Sequence, residues 1–158
     1  MTDPAFLDGV KLLGARGLLF ELQVCQVQLA EAAAFATACP DVSMVLNHAG
    51  FPLRGEYDAW RAGLDALAAC PNVAVKMGGF GTYDSPGFSP EETKKYVDAC
   101  IEAFGVARCM FASNLPVDLI DAVPAERWAS YWAAVKDRPI EDATALFRGN
   151  ALRVYRLG

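Results

Sequence analysis

Apolar residues fall into short continuous runs that alternate along the chain with longer amphipathic segments. Uninterrupted runs of Val, Leu, Met and Phe are typical of strands buried on both faces of a parallel sheet. Such runs predict strands at 18–24, 42–48, 73–77 and 108–113. Apolar residues at helical spacing predict helices at 4–16, 28–39, 57–70, 90–104, 124–136 and 140–147. This alternation predicts an α/β fold with parallel strands joined by right-handed helical crossovers.

Two of the helix beginnings carry capping signals. Asp3 precedes Pro4, and Ser89 precedes Pro90 with Glu92 three residues after the cap. Ser and Asp side chains accept hydrogen bonds from the free amides of the first turn, and proline is well suited to the first helical position. These residues therefore predict helices that begin at positions 4 and 90.

The run at 42–48 ends in Asn47 and His48, the single histidine of the chain, and a glycine turn follows at Gly50. In α/β proteins the chemistry gathers at the carboxyl ends of parallel strands. A neutral imidazole can take a proton from water or polarise a carbonyl group. His48 is therefore a candidate catalytic residue, the alternative being a histidine that is hydrogen-bonded within a loop.

Composition narrows the classes of function. The chain has 158 residues, 54% of them hydrophobic, and a net charge of -5, so we expect one domain, 1–158, with a real core. An acidic chain without a basic cluster disfavours binding to nucleic acid or to an anionic membrane. No secretory signal, membrane-spanning run or Cys-x-x-Cys pair is visible, so the five cysteines indicate reduced thiols in a cytoplasmic protein.

The predicted βα units are too few for a complete barrel. An eight-unit barrel usually needs about 250 residues, whereas four units fill the 158 residues here. The pattern therefore leaves two architectures open, an open parallel sheet and half of a barrel.

Four motifs occur in one order along the chain. They are Asn47-His48-Ala49-Gly50-x-Pro52, Pro71-Asn72-Val73-x-Val75-Lys76-x-x-Gly79, Phe104-Gly105-x-x-Arg108 continuing to Ser113-Asn114-x-Pro116, and Asn150-Ala151-x-Arg153-x-Tyr155. This series resembles the C-terminal half of amidohydrolase family 2 proteins, TIM-barrel hydrolases that include lactonases and some decarboxylases. The resemblance implies an α/β fold in which the βα units form the C-terminal half of a TIM (β/α)8 barrel. It also implies water attack on a lactone or amide bond of a small carboxylated or sugar-derived substrate.

The chain departs from the family pattern at its metal-binding positions. Family members carry a His-x-His pair on the first strand, and none exists here. Where the family's last strand ends in Ser-Asp-x-Pro, this chain has Asn114. Since one histidine cannot make a multi-histidine zinc site, we expect no metal cofactor held by this chain alone, although a divalent metal such as zinc serves some relatives.

Five residues are the candidate site residues on these grounds. His48 would activate water or polarise the carbonyl, and Asn114 would orient water or donate a hydrogen bond to an oxyanion. Lys76, Arg54 and Tyr83 would bind an anionic substrate, because they lie in or after strands where anions are commonly held. The alternatives are a turn residue for Asn114, a structural ion pair for Lys76, and solvated loop residues for Arg54 and Tyr83.

Half a barrel would leave two strand edges open. We therefore expect self-association, or pairing with a missing N-terminal half, besides a small-molecule substrate. Two rival interpretations remain: a truncated half-barrel with no activity of its own, and a small flavodoxin-like binding domain. The latter lacks a phosphate-binding loop after the first strand.

Overall fold

The computed structural model describes residues 1–82, 87–120 and 123–158. The strands are β1 (Phe20–Leu22), β2 (Met44–Leu46), β3 (Val73–Met77) and β4 (Cys109–Phe111). The helices are α1 (Pro4–Ala15), α2 (Leu29–Ala38), α3 (Tyr57–Ala68), α4 (Pro90–Phe104), α5 (Pro124–Val135), α6 (Ile140–Thr144) and α7 (Asn150–Tyr155). The predicted alternation of strands and helices is thereby confirmed.

The four strands form one sheet in the order β1-β2-β3-β4, and each neighbouring pair is parallel. Val45 of β2 lies beside Glu21 of β1 and Ala74 of β3, while Met77 lies beside Phe111 of β4. All four strands therefore end at one edge of the sheet, and the predicted α/β class with a parallel sheet is confirmed.

One face of the sheet packs against the crossover helices. Leu46, Val75 and Met77 of the strands join Trp60 and other apolar residues of α3 in the main core. Trp60 is fully buried, and its indole nitrogen donates a hydrogen bond to the carbonyl of Ala49 at 2.7 Å. Burial of a large side chain contributes roughly 1.5–3 kcal/mol, and this hydrogen bond also ties α3 to the turn after β2.

The opposite face of the sheet is covered by the end of the chain. Val45, Ala74 and Met110 are buried there, packed against Leu19, Ala151, Val154 and Tyr155. Asn150 donates hydrogen bonds to the carbonyls of Val106 and Cys109, each at 2.8 Å, and Arg156 donates to the carbonyl of Gly17 at 2.7 Å. The C-terminal helix α7 therefore runs from the beginning of β4 to the beginning of β1.

Predicted and observed boundaries differ in the strands and in the helix after Pro139. β2 stops at Leu46, two residues before His48, because the backbone then turns sharply: His48 and Ala49 have φ values of 54° and 49°. Residues with positive φ cannot continue a strand. At the other end of the chain, α6 stops at Thr144, and a wider π-helical turn, Ala145–Gly149, leads into α7.

The structure also bears on two predictions from the sequence: that the cysteines are reduced thiols, and that no segment spans a membrane. All five cysteines are free; Cys39, Cys70, Cys100 and Cys109 are buried, and only Cys25 is exposed. Burial raises the pKa of the Cys109 thiol to about 12. Within the described residues, no helix is long and apolar enough to cross a membrane.

Candidate functional site

Three side chains converge on Gly79, just after the end of β3. A Cβ placed on Gly79 would lie 2.9 Å from His48 Nδ1, 2.9 Å from Asn114 Nδ2 and 3.2 Å from Thr82 Oγ1. Gly79 also has a φ of 65°, which side chains other than glycine rarely adopt. The glycine thus leaves the space in which the two candidate catalytic residues, His48 and Asn114, come together at the strand ends.

His48 is half-buried and held in a left-handed backbone conformation. Its ring packs against Phe51, with ring centres 4.7 Å apart. Burial is the largest influence on the imidazole and lowers its pKa, while the backbone of Gly78 acts in the opposite direction and the positive charge of Lys76 lowers the pKa further. Nδ1 is buried without a hydrogen-bond partner among the described residues. Near pH 7 the ring is therefore neutral, as a general base must be.

Asn114 follows β4 and is fixed by hydrogen bonds on its nitrogen. Nδ2 lies 2.7 Å from Asp118 Oδ1 and 3.3 Å from Thr82 Oγ1. The backbone carbonyl of Asn114 also accepts a hydrogen bond from the amide of Asp118 at 3.1 Å. Asn114 therefore has the turn geometry that its sequence context allows, and its side-chain nitrogen lies against the same glycine, Gly79, as His48 Nδ1.

Asp118 was missed as a site residue in the sequence. In the sequence, nothing in the spacing of Asp118 and Glu21 suggests a pair of catalytic carboxylates. In the structure Asp118 is only 6% exposed, and its carboxylate lies beside Asn114 and Thr82. Arg127 Nε lies 3.3 Å from Asp118 Oδ2, and Arg127 Nη1 donates to the carbonyl of Phe80 at 3.3 Å. The spacing of four residues from Asn114 was the one local signal that could have indicated this contact.

Tyr131 of α5 completes the buried polar surroundings of Asp118. The phenol is fully buried, and its ring stacks on Phe111 at 4.9 Å. Its hydroxyl oxygen has no hydrogen-bond partner among the described residues. Burial raises the pKa of Tyr131, and the neighbouring charge of Arg127 opposes that rise. The phenol therefore stays protonated and adds no charge to the site.

Lys76 lies on β3 and pairs with Glu21 of β1. Nζ is 2.7 Å from Glu21 Oε2, and it also lies 5.7 Å from the centre of the Tyr155 ring. The structural ion pair, one of the two interpretations of this residue, is thus present. The ammonium is still close enough to His48 to lower the pKa of its imidazole.

Arg54 lies farther from the strand-end cluster and is held by Glu92 at the beginning of α4. Its Nε and Nη2 lie 2.7 and 3.1 Å from the two carboxylate oxygens, and Nη2 also donates to the carbonyl of Gly87 at 3.3 Å. The Arg54 hydrogen bond is the main reason why the pKa of Glu92 falls to about 2. Tyr83, the remaining candidate substrate-binding residue, lies outside the described residues.

A cavity of about 440 Å³ opens beside the cluster. Its lining includes Thr82, Phe88, Asp118, Arg127 and Ser130. A volume of this order suits a small organic ligand. Asp118 and Thr82 therefore face both the Asn114 amide and a space that such a ligand could enter.

Among the described residues, the donor atoms do not fit a zinc ion held by this chain alone. Zinc sites in enzymes use three protein ligands, drawn from His, Cys, Asp and Glu. Over 1–82, 87–120 and 123–158, no three such residues come together in a way that could hold a metal. No catalytic step is therefore assigned here to a metal.

Comparisons with known proteins give a consistent answer. A family model described as amidohydrolase matches residues 2–157. Uncharacterized protein y4mH of Sinorhizobium fredii is 36% identical over 98% of this chain and 52% of its own length. An L-fucono-1,5-lactonase of Burkholderia multivorans is 34% identical over 99% of this chain and 57% of its own length.

Solved structures match equally well. A Burkholderia multivorans amidohydrolase with bound zinc superimposes with a TM-score of 0.93 at 32% identity, covering 99% of this chain and 58% of that protein. The chain therefore spans little more than half the length of the relatives that it resembles.

Proposed function

The chain belongs to the amidohydrolase family, and on that basis we propose that it supplies the C-terminal half of a barrel that hydrolyses lactones. The observation that carries this proposal is the meeting of His48 and Asn114 at Gly79, on the edge where parallel strands end. A neutral imidazole and a fixed amide are suited to water addition at a carbonyl carbon. The neighbouring cavity is lined by Thr82 and Asp118, which contact Asn114, and not by His48 or Asn114 themselves.

His48 is the proposed general base. Water adds to the carbonyl carbon while its proton passes to the imidazole, giving a tetrahedral oxyanion and a protonated His48. The ring C–O bond then breaks, and the proton on His48 passes to the departing oxygen. The product is the hydroxy acid, and His48 returns to its neutral form.

The substrate class is proposed from the relatives and from the charges around the site. A lactone is favoured over an amide because a lactonase acting on L-fucono-1,5-lactone is 34% identical over 99% of this chain. Lys76 would bind a substrate carboxylate or hydroxyl group, which the influence of its charge on His48 supports. Arg54 is less suited to this role, because its Nε and Nη2 are hydrogen-bonded to Glu92.

A second candidate is a half-barrel that is inactive until it is completed. β1 and β4 each have a single neighbour in the described sheet. Exposed apolar side chains lie near both open edges: Phe6 and Leu18 by β1, and Trp132 and Ile140 on α5 and α6 beyond β4. An N-terminal half with four further βα units would pair with both edges and cover these side chains.

A second copy of this chain is a less suitable completing half. The C-terminal helix α7 already covers Val45, Ala74 and Met110 on one face of the sheet. A symmetric dimer would bring a second α7 to the same end of the barrel. We therefore propose a different chain, an N-terminal half of the same family, as the occupant.

Lactone hydrolysis by the assembled protein tests the proposed function. The chain would be co-expressed with the N-terminal half of the Burkholderia multivorans L-fucono-1,5-lactonase and assayed by acid release from that lactone. We expect hydrolysis above the spontaneous rate, and loss of about 10²- to 10⁴-fold for His48→Ala. A stable assembly in which His48→Ala hydrolyses the lactone as fast as the unaltered protein would contradict the role of His48.

A further inference from the structure

Asp118 has a part in this site that neither the motifs nor the family resemblance indicates. We propose that it is a positioning residue, which engages the nitrogen of the Asn114 amide and leaves only Asn114 Oδ1 to accept a hydrogen bond from the reacting water. The inference rests on the proposed function for its catalytic consequence. The orientation of the amide itself can be measured without any activity.

The first step is the contact between Asn114 and Asp118. A carboxylate has no hydrogen to donate, so the atom 2.7 Å from Asp118 Oδ1 must be the amide nitrogen of Asn114. Asn oxygen and nitrogen atoms are otherwise hard to tell apart, and a hydrogen-bonding partner has to decide between them. Here the partner is the Asp118 carboxylate, which can only accept hydrogen bonds. Only the amide orientation with the Asn114 nitrogen toward Asp118 satisfies it.

The second step concerns the other hydrogen on that nitrogen. The hydroxyl of Thr82 lies 2.7 Å from the carbonyl of Gly79 and 3.4 Å from Asp118 Oδ1. Its single hydrogen goes to the shorter contact, the carbonyl of Gly79, which leaves the oxygen lone pairs free to accept. Asn114 Nδ2 lies 3.3 Å from this oxygen. Both amide hydrogens are therefore used, one by Asp118 and one by Thr82.

The consequence is a single remaining role for the Asn114 side chain. A nitrogen whose two hydrogens are engaged cannot donate to an oxyanion, so of the two roles predicted for Asn114 only the orientation of water remains. Asn114 Oδ1 makes no hydrogen bond to any described residue and can accept one from water. A water that donates a hydrogen bond to Asn114 Oδ1 keeps its oxygen lone pairs for the substrate carbonyl.

The third step is the support of Asp118 itself. A carboxylate that is only 6% exposed needs a compensating charge. Arg127 supplies the charge: its Nε lies 3.3 Å from Asp118 Oδ2 in an ion pair without hydrogen-bond geometry, and its Nη1 donates a hydrogen bond to the carbonyl of Phe80. Asp118 is thereby held at the point from which it can fix the amide.

Side-chain amide NMR tests the orientation directly on this chain. Both Hδ2 signals of Asn114 should be protected from exchange with water, and Asp118→Asn should remove the protection, because an amide at position 118 can face Asn114 with either atom. Thr82→Val should expose one Hδ2 signal and leave the other protected. Asp98→Asn is the matched control, since Asp98 is an ion-paired carboxylate on the outer side of α4 and its loss should leave both signals unchanged.

A reciprocal exchange separates positioning from general support of the fold. The double variant Asn114→Asp/Asp118→Asn exchanges the two side chains. One carboxylate and one amide still face each other, but the amide nitrogen that donates the hydrogen bond is now at position 118. We expect Asp118→Asn to lower kcat of the assembled enzyme about 10- to 100-fold with KM little changed, and the exchanged pair to regain at least tenfold. Unprotected Hδ2 signals in the unaltered chain, or full protection in Asp118→Asn, would overturn the proposal. An inactive assembly with the expected NMR pattern would refute the hydrolase function alone.

Discussion

The hydroxyl of Tyr155, near the end of the chain, donates a hydrogen bond to Glu21 on the first strand of the sheet. Glu21 also pairs with Lys76 on β3, at 2.7 Å, and the Lys76 ammonium lies over the Tyr155 ring. The three residues come from β1, β3 and α7. They place a hydrogen-bonded charge network on the sheet face that α7 covers.

Loss of the Tyr155 hydroxyl should weaken this network measurably. We expect Tyr155→Phe to lower the free energy of unfolding by about 0.5–1.5 kcal/mol, the usual worth of one hydrogen bond, in urea unfolding followed by circular dichroism. Glu21→Gln and the double variant complete a double-mutant cycle. Additive losses from the two single variants would show that the contact is energetically unimportant.

The pKa of His48 offers a test of its surroundings. Burial lowers this pKa below the ordinary histidine value of about 6.5, and the imidazole C–H signals of the single histidine make it readable by NMR. Below that ordinary value the unfolded chain binds a proton that the folded chain does not yet bind. The stabilising contribution of His48 is therefore complete above about pH 6.5 and is lost as the pH falls toward the lowered pKa.

Lys76→Met should shift that titration upward. The lysine charge lowers the pKa of His48, and its removal also leaves the carboxylate of Glu21 without its cationic partner. Both changes favour the protonated imidazole. Lys11→Met, which alters an exposed lysine on α1, is the control and should leave the titration where it is. An unchanged titration in Lys76→Met would exclude the proposed electrostatic link.

Gly79→Ala tests the convergence of the site. The added methyl group would come within 2.9 Å of both His48 Nδ1 and Asn114 Nδ2, at a φ of 65°. Gly55→Ala is a matched control, since Gly55 has a φ of 86° and nothing within 4 Å of its Cβ position. Backbone strain alone should cost about 1–2 kcal/mol in the control.

Steric contact should therefore make Gly79→Ala less stable than Gly55→Ala in thermal unfolding. It should also abolish hydrolysis by the assembled enzyme, whereas Gly55→Ala should retain it. Equal losses of stability and equal activities would show that the space at Gly79 is not needed.

Light scattering after size exclusion tests the open edges. A chain whose β1 and β4 edges are unpaired should self-associate or aggregate alone, and should form a defined one-to-one complex with an N-terminal half. Trp132→Glu and Ile140→Glu, on the exposed apolar surface beyond β4, should weaken that complex. Val27→Glu, at an apolar residue with 82% exposure outside α2, should not. A stable monomer that binds no N-terminal half would contradict the half-barrel.

Helix beginnings could be predicted from the sequence, because capping depends on residues that are close together in the chain. Asp3 and Ser89 accept hydrogen bonds from Phe6 and Glu92 as their cap positions indicate, and α1 and α4 begin at the predicted prolines. β3 has the predicted bounds, 73–77. The other strands are shorter than predicted, because pairing with a distant strand decides where a strand stops and the apolar run does not.

The site was predictable only in part for the same reason. His48 and Asn114 follow apolar runs, so their place at the strand ends could be predicted. The hydrogen bond of Thr82 with Asn114 joins residues 32 apart, and Arg127 reaches Asp118 from a separate helix. No spacing in the sequence signals such contacts, because they depend on how the crossovers bring the strands together.

The path of α7 has a consequence for synthesis. Asn150 of this helix hydrogen-bonds Cys109 at the beginning of β4, and Arg156, directly after the helix, hydrogen-bonds Gly17 just before β1. Residues of the helix cover Val45, Ala74 and Met110. A chain emerging from the ribosome has all four strands available long before Arg156 appears. Until then, one side of the sheet stays exposed to water and to other chains. Chaperones that recognise apolar surface should therefore bind nascent chains that end before α7 and release those that extend past it.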